Sequence, residues 1–317
     1  MEDEHHLHGT QKETGPNSPG MEATSPHDTH RHHKEPMDEG VSSCASENKS
    51  HQNHHSPHSE SSAAYSMFSP SINYNVNVQF DPAVPQAHKA TLLSIVVTEQ
   101  KVGEPIKDFD ILHDKLMHLI VVNREDLSHF AHIHPNFDRE TGIFHITHKF
   151  AEAGKYKMWI DAKPKGGIQT LTAFVFNVQG QPIHIPATIA PEQTRVKNAQ
   201  AQGQSYQIAL DCQPEQLVAG RNVKMTFEIK DANGRPISDL EPLMAAGGHC
   251  VIIDADGREF LHVHPAEEVH DGLNWRGGPS ISFLANFPKP GLYRAWGQFQ
   301  HEGRLLTADF TFEVVAG

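Results

Sequence analysis

One stretch of this chain occurs twice, and the duplication constrains the fold more than anything else in the sequence. Met117-His118-Leu119-Ile120-Val121-Val122, then Asp126-Leu127 and His129-Phe130-Ala131-His132-Ile133-His134-Pro135, returns as Gly248-His249-Cys250-Val251-Ile252-Ile253, then Asp256-Gly257 and Phe260-Leu261-His262-Val263-His264-Pro265. His118 and His249 are 131 residues apart; His132/His262 and His134/His264 are each 130 apart. Each copy reads as an apolar strand carrying one histidine, a turn, and an H-x-H-P segment. Pro135 and Pro265 end the second strand, because proline cannot donate to a ladder.

The segments around the repeat agree with it. Tyr74, Val76, Val78 and Phe80 alternate with polar residues, the period of a half-buried strand. Tyr206 to Pro214 answers Tyr74 to Pro82, and Lys224 to Lys230 answers Leu92 to Thr98. Ala153-Gly154-Lys155-Tyr156-Lys157-Met158-Trp159 is matched by Pro290-Gly291-Leu292-Tyr293-Arg294-Ala295-Trp296. Seven strands are predicted in the first half, near 73–80, 92–98, 117–123, 129–134, 142–150, 155–161 and 169–178, and the second half repeats them. Short strands with turn signals and no convincing helix predict an all-β chain of two tandem seven-stranded antiparallel β-sandwiches of immunoglobulin-like type. The G-x-Y-x-x-W pieces resemble a tyrosine corner, but Met158 and Ala295 stand where the second cysteine of an inter-sheet disulfide would be, so packing alone must hold the sheets together.

A length of 317 residues favours two domains. The expected division is a tail over 1–64, a first sandwich over 65–179, a Pro-, Gln- and Ala-rich linker over 180–204, and a second sandwich over 205–317. The tail is predicted disordered, since it has almost no branched aliphatics and cannot offset its ordering entropy. Eleven of the 25 histidines lie there, in clusters that read as loose metal chelation. The net charge of −13 argues against nucleic acid or an anionic membrane as partner. No run of apolar residues is long enough for a transmembrane helix. The N-terminus is acidic and lacks an apolar h-region, so no secretory signal is expected in this chain. Cys44, Cys212 and Cys250 are expected to be free thiols.

Side chains alternate across a strand, so His132 and His134 share one face and Ile133 takes the other; His262, Val263 and His264 repeat the pattern. Two imidazoles on one strand face, with a third from a neighbouring strand, make the three-ligand set of open zinc or copper sites. His118 and His249 are the expected third ligands. A fourth position holds His113 in the first half and Met244 in the second, and a thioether there would suit Cu(I). Asp114 and Cys250 are close enough in sequence to be spare ligands, but Cys250 neighbours His249 on a strand and is expected to face the core. His129, His145, His148, His270 and His301 have no counterparts and are expected at the surface. A buried imidazole bonded to carbonyls would leave the same trace as a ligand, and duplicating such a network would double it.

Residues His113-Asp114-Lys115-Leu116-Met117-His118 through His132-Ile133-His134-Pro135 resemble the pattern of bacterial YtkA-like, cupredoxin- or immunoglobulin-like domains, well over 74–178 and more loosely over 206–316. That resemblance implies a small β-sandwich associated with copper or silver handling, no established enzymatic activity, and export, which differs from the expectation of no secretory signal. The function expected is non-enzymatic: buffering or delivering copper, with zinc next, to or from a metal transporter or acceptor protein. The alternatives are a tandem immunoglobulin-like interaction module with structural histidines, and a cupin-like metal-dependent oxygenase. For the latter, Asp138 and Glu268 follow the H-x-H pairs, but the glycine spacing is wrong.

Overall fold

A computed structural model describes residues 74–181, 187–267, 269–270 and 272–317. The predicted tail and Cys44 lie outside the described residues. The first half forms β1 (Tyr74–Asp81), β2 (Ala90–Glu99), β3 (Phe109–Asp110), β4 (Met117–Asn123), β5 (Ala131–Ile133), β6 (Asn136–Asp138), β7 (Ile143–Lys149), β8 (Gly154–Pro164) and β9 (Thr170–Val178). The second forms β10 (Val196–Ala201), β11 (Gln204–Gln213), β12 (Asn222–Asp231), β13 (His249–Asp254), β14 (Phe260–Val263), β15 (Ser280–Asn286), β16 (Gly291–His301) and β17 (Arg304–Val314), with one turn of 3₁₀ helix at Gly272–Asn274.

These strands make four antiparallel sheets, two in each half, as the all-β reading predicts. In the first half, β1-β2-β7-β6 faces a sheet in which β5, β4, β8 and β9 are neighbours and β3 joins the end of β8. In the second, β10-β11-β12-β15 faces β14-β13-β16-β17. The seven predicted strands of the first half are present, and β3 and β6 are short additions. The stretch read as a linker holds β10, which pairs with β11 from Val196↔Ala209 to Ala201↔Gln204. Each half has its own core: Leu93, Ile95, Leu119, Val121, Phe144 and Met158 in the first, and Ile208, Phe227, Cys250, Ile252, Phe283 and Phe310 in the second.

Every residue of β4 is buried, and so are all but the last of β13. A sheet with one solvated face would alternate; burial on both faces explains the unbroken apolar runs. Leu119 and Val121 enter the first core, while Ile120 and Val122 turn outward and meet Val251 and Ile253. Trp159, Leu127, Phe260 and Trp296 complete this third apolar cluster, which is a seam between the two inner sheets.

The seam contacts are reciprocal. Trp159 of the first half stacks on Phe260 of the second at 5.4 Å between ring centres, and Trp296 of the second stacks on Phe130 of the first at 4.7 Å. Lys157 Nζ donates to the Gly257 carbonyl; its counterpart Arg294 donates to the Asp126 carbonyl at 3.1 Å. Residue i meeting j while the repeat mate of j meets that of i is the signature of a two-fold interface, here within one chain.

Candidate metal centre

His118 occupies the same face of β4 as Ile120 and Val122, and therefore points into the seam rather than into its own core. His132 is the register partner of Ile120 across β4 and β5, so it faces the same way. His249, beside Val251, and His262, the partner of Val251, repeat this in the second half. Gly248 stands where the first half has Met117; a Cβ there would meet the Gln298 carbonyl at 2.9 Å and the Phe299 ring at 2.7 Å, so glycine is required beside His249.

Three nitrogens converge in the first half. His118 Nδ1 lies 3.0 Å from His132 Nε2 and 3.1 Å from His134 Nε2, and the last two are 3.3 Å apart. Two nitrogens bound at about 2.0 Å to a tetrahedral ion are separated by about 3.3 Å, so the triangle has the size of one face of such a coordination sphere. Hydrogen bonds on the far side of two rings fix which nitrogens carry lone pairs. His118 Nε2–H donates to the Leu112 carbonyl at 2.8 Å, which leaves Nδ1 bare. His132 Nδ1–H donates to Gln298 Oε1 at 2.9 Å, which leaves Nε2 bare. Two bare nitrogens 3.0 Å apart have no proton between them. A purely hydrogen-bonded network would rest on a single His134 N–H shared between both.

In the second half, His249 Nε2–H donates to the Leu243 carbonyl at 3.0 Å and its Nδ1 lies 3.3 Å from His262 Nε2. His262 and His264 group with His113, their ligand atoms all within 4.8 Å of one another. Two nitrogens here, His262 Nδ1 and His264 Nε2, are buried with no hydrogen-bond partner. Buried polar atoms are rarely left so, and a place for an ion is among the standard reasons.

His113 therefore belongs with the second half's pair, not only with the first half's ligands as sequence spacing suggested. Its ring centre lies 3.4 Å from that of His264 and 5.6 Å from that of His118. The cause is a two-residue turn. Leu112 and Lys115 exchange backbone hydrogen bonds around His113 and Asp114, whose φ angles are 50° and 65°. Positive φ at both central positions is the type I′ geometry, uncommon without glycine. One turn thus delivers the His113 ring to the seam and the Leu112 carbonyl to His118. Met244 and Ala245 form the matching turn, with φ of 49° and 58°, and Leu243 supplies its carbonyl to His249.

Burial depresses the pKa of all these imidazoles, with mutual repulsion second in most of them: His113, His132 and His134 to about 3, His264 to about 4. His118 is lowered, and His249 and His262 fall well below the usual value. At neutral pH all seven are uncharged, the form that ligates metal.

Of the spare ligands, Asp114 is exposed and pairs with Lys115 at 3.1 Å, and Cys250 is fully buried in the second core, as expected, where burial raises its pKa. Cys212 and Cys250 are free thiols. Asp138 caps its own turn through the Glu140 and Thr141 amides, and Glu268 lies outside the described residues. The unmatched histidines are less exposed than expected: His145 meets Ser94 Oγ at 3.1 Å, His301 meets Tyr206 Oη at 3.2 Å, and His129 and His148 are half-buried; only His270 is exposed. Two residues beside the histidines escaped sequence reasoning. Gln298 is the register partner of His249, and Asp161 that of His118. Each lies two residues after the repeated tryptophan, a polar side chain at seam parity in a buried strand, which was the available signal. Asp161 accepts from Gln169 Nε2 at 2.7 Å, and burial pushes its pKa up to about 6.

The chain belongs to the family described as "Domain of unknown function (DUF8832)", whose model matches it twice, at residues 71–180 and 199–316. No curated protein matches it. Among solved structures it is similar to the Escherichia coli adhesin FdeC (14% identity, 76% of this chain and 64% of that one, TM-score 0.24). It is also similar to a Salmonella alpha-2-macroglobulin (11%, 79% and 15%, TM-score 0.25) and the Yersinia pseudotuberculosis adhesin InvE (9%, 76% and 60%, TM-score 0.21). The chain spans less than two thirds of each of these proteins. Among the described residues, no helix is long and apolar enough to cross a membrane.

Proposed function

We propose that this is a non-enzymatic metal-binding protein that holds copper, with zinc next, through His118, His132 and His134 in one half and His249, His262 and His264 with His113 at the other. The observation that carries the reading is the convergence of His118 Nδ1 and His132 Nε2, two lone pairs 3.0 Å apart with their protons committed elsewhere. Such a pair repels itself until a cation sits between. An all-imidazole, uncharged ligand set suits Cu and Zn over Mg or Ca, and copper stands highest in the affinity order. Half-exposed His113, His134 and His264 give an ion access from solvent. The resemblance to YtkA-like domains supports a place beside copper handling, with a transporter or acceptor protein as partner.

The test is copper and zinc titration of the full chain against a competing chelator, with His118→Ala and His132→Ala. Retention tighter than about micromolar, equivalent to about −8 kcal/mol, with the first triad's ion lost in both variants, is the expected result. Weak binding that ignores both substitutions would leave the histidines a structural network.

A further inference from the structure

We infer that the seven histidines form one paired-metal centre assembled by both halves, holding two copper-class cations that sense each other. This rests on the metal reading above and adds what spacing along the chain does not give: the sites are not one per sandwich.

Three observations carry it. His113 comes from the first half, yet the atoms it groups with are those of His262 and His264. The first triad's orienting group comes from the second half, since His132 Nδ1–H is held by Gln298. The triads also touch: the His262 ring centre is 5.3 Å from those of both His118 and His132, and His249 lies 5.9 Å from His132. An ion lies roughly 3 Å from the ring centre of its ligand, so ions bound to His118 and His262 would be no more than about 12 Å apart. Surrounded only by neutral ligands, two dications repel, and the second should bind about tenfold more weakly or worse.

The experiment is Cu(II) titration of the full chain against a chelator that holds free copper below about micromolar, followed by electron paramagnetic resonance. Two retained ions per chain, with dipolar broadening that grows as the second enters, are expected. His113→Asn keeps a residue tolerant of positive φ and should reduce the count from two to one, leaving a narrow spectrum; His264→Asn should do the same. His118→Ala should remove the other ion, and the double variant His118→Ala/His113→Asn both. Two ions with unbroadened spectra, a single ion per chain, or two ions kept by His113→Asn and by His264→Asn would overturn the paired centre while the metal reading stands. No chelator-resistant copper at all would sink the metal reading and this inference with it.

Discussion

The two halves of the seam match where they pack and differ where they would bind. Trp159 on Phe260 is answered by Trp296 on Phe130, and Lys157 on the Gly257 carbonyl by Arg294 on that of Asp126. The Leu112 carbonyl beneath His118 is answered by the Leu243 carbonyl beneath His249. Around the clustered histidines the correspondence fails. His113 faces no second histidine at position 244, and Gln298, which holds His132, is matched by Asp161, which holds Gln169 instead and leaves His262 Nδ1 without a partner. A duplicated scaffold has kept its packing and changed its chemistry. The two triads are therefore expected to be unequal, the first compact and oriented, the second open.

The largest test of the comparison concerns packing. Trp159→Ala and Trp296→Ala should each cost about 3–5 kcal/mol in denaturant-melt stability, and by similar amounts; a large inequality would break the two-fold account of the seam. Next in size is ligand loss. Removing His132 should weaken the first triad's ion more than about 100-fold, beyond the 10- to 100-fold typical of an outer-sphere partner, while the second ion changes less; competition titration reads both. Gln298→Ala should weaken the same ion about 10- to 100-fold, whereas Asp161→Ala should leave the first triad's affinity nearly unchanged. Equal effects of these two would erase the asymmetry.

A further test concerns pH dependence without metal. The unfolded chain protonates these histidines below about 6.5, but the folded protein resists until about 3 to 4 at His113, His132, His134 and His264. Unfolded molecules then bind more protons, so stability is complete above about 6.5 and falls as pH drops toward 4. Denaturation midpoints at pH 7.5 and 5 should show the fall, and His113→Asn/His264→Asn should reduce it; an unchanged slope would place those rings in water.

Much of this was legible in the chain. Period-two alternation put His132 and His134 on one face, and the 130-residue offset predicted their twins. The face itself was readable too, because an unbroken apolar run such as Leu119–Val122 means burial on both sides, although a separate sandwich for each half does not require it. What lay beyond sequence was the crossing of His113, set by a left-handed turn that neither glycine nor asparagine announces. β10 was missed because Val196–Ala201 lies in a Gln- and Ala-rich stretch with little alternation of apolar residues.

The backbone that connects the halves has a consequence for dilution. A centre shared by two separate polypeptides would come apart as they were thinned, whereas tethered partners meet at an effective concentration on the order of millimolar. The duplication thus makes this histidine cluster's assembly first-order: a lone molecule in a large volume keeps all seven imidazoles in reach, and only the metal has to be found by diffusion.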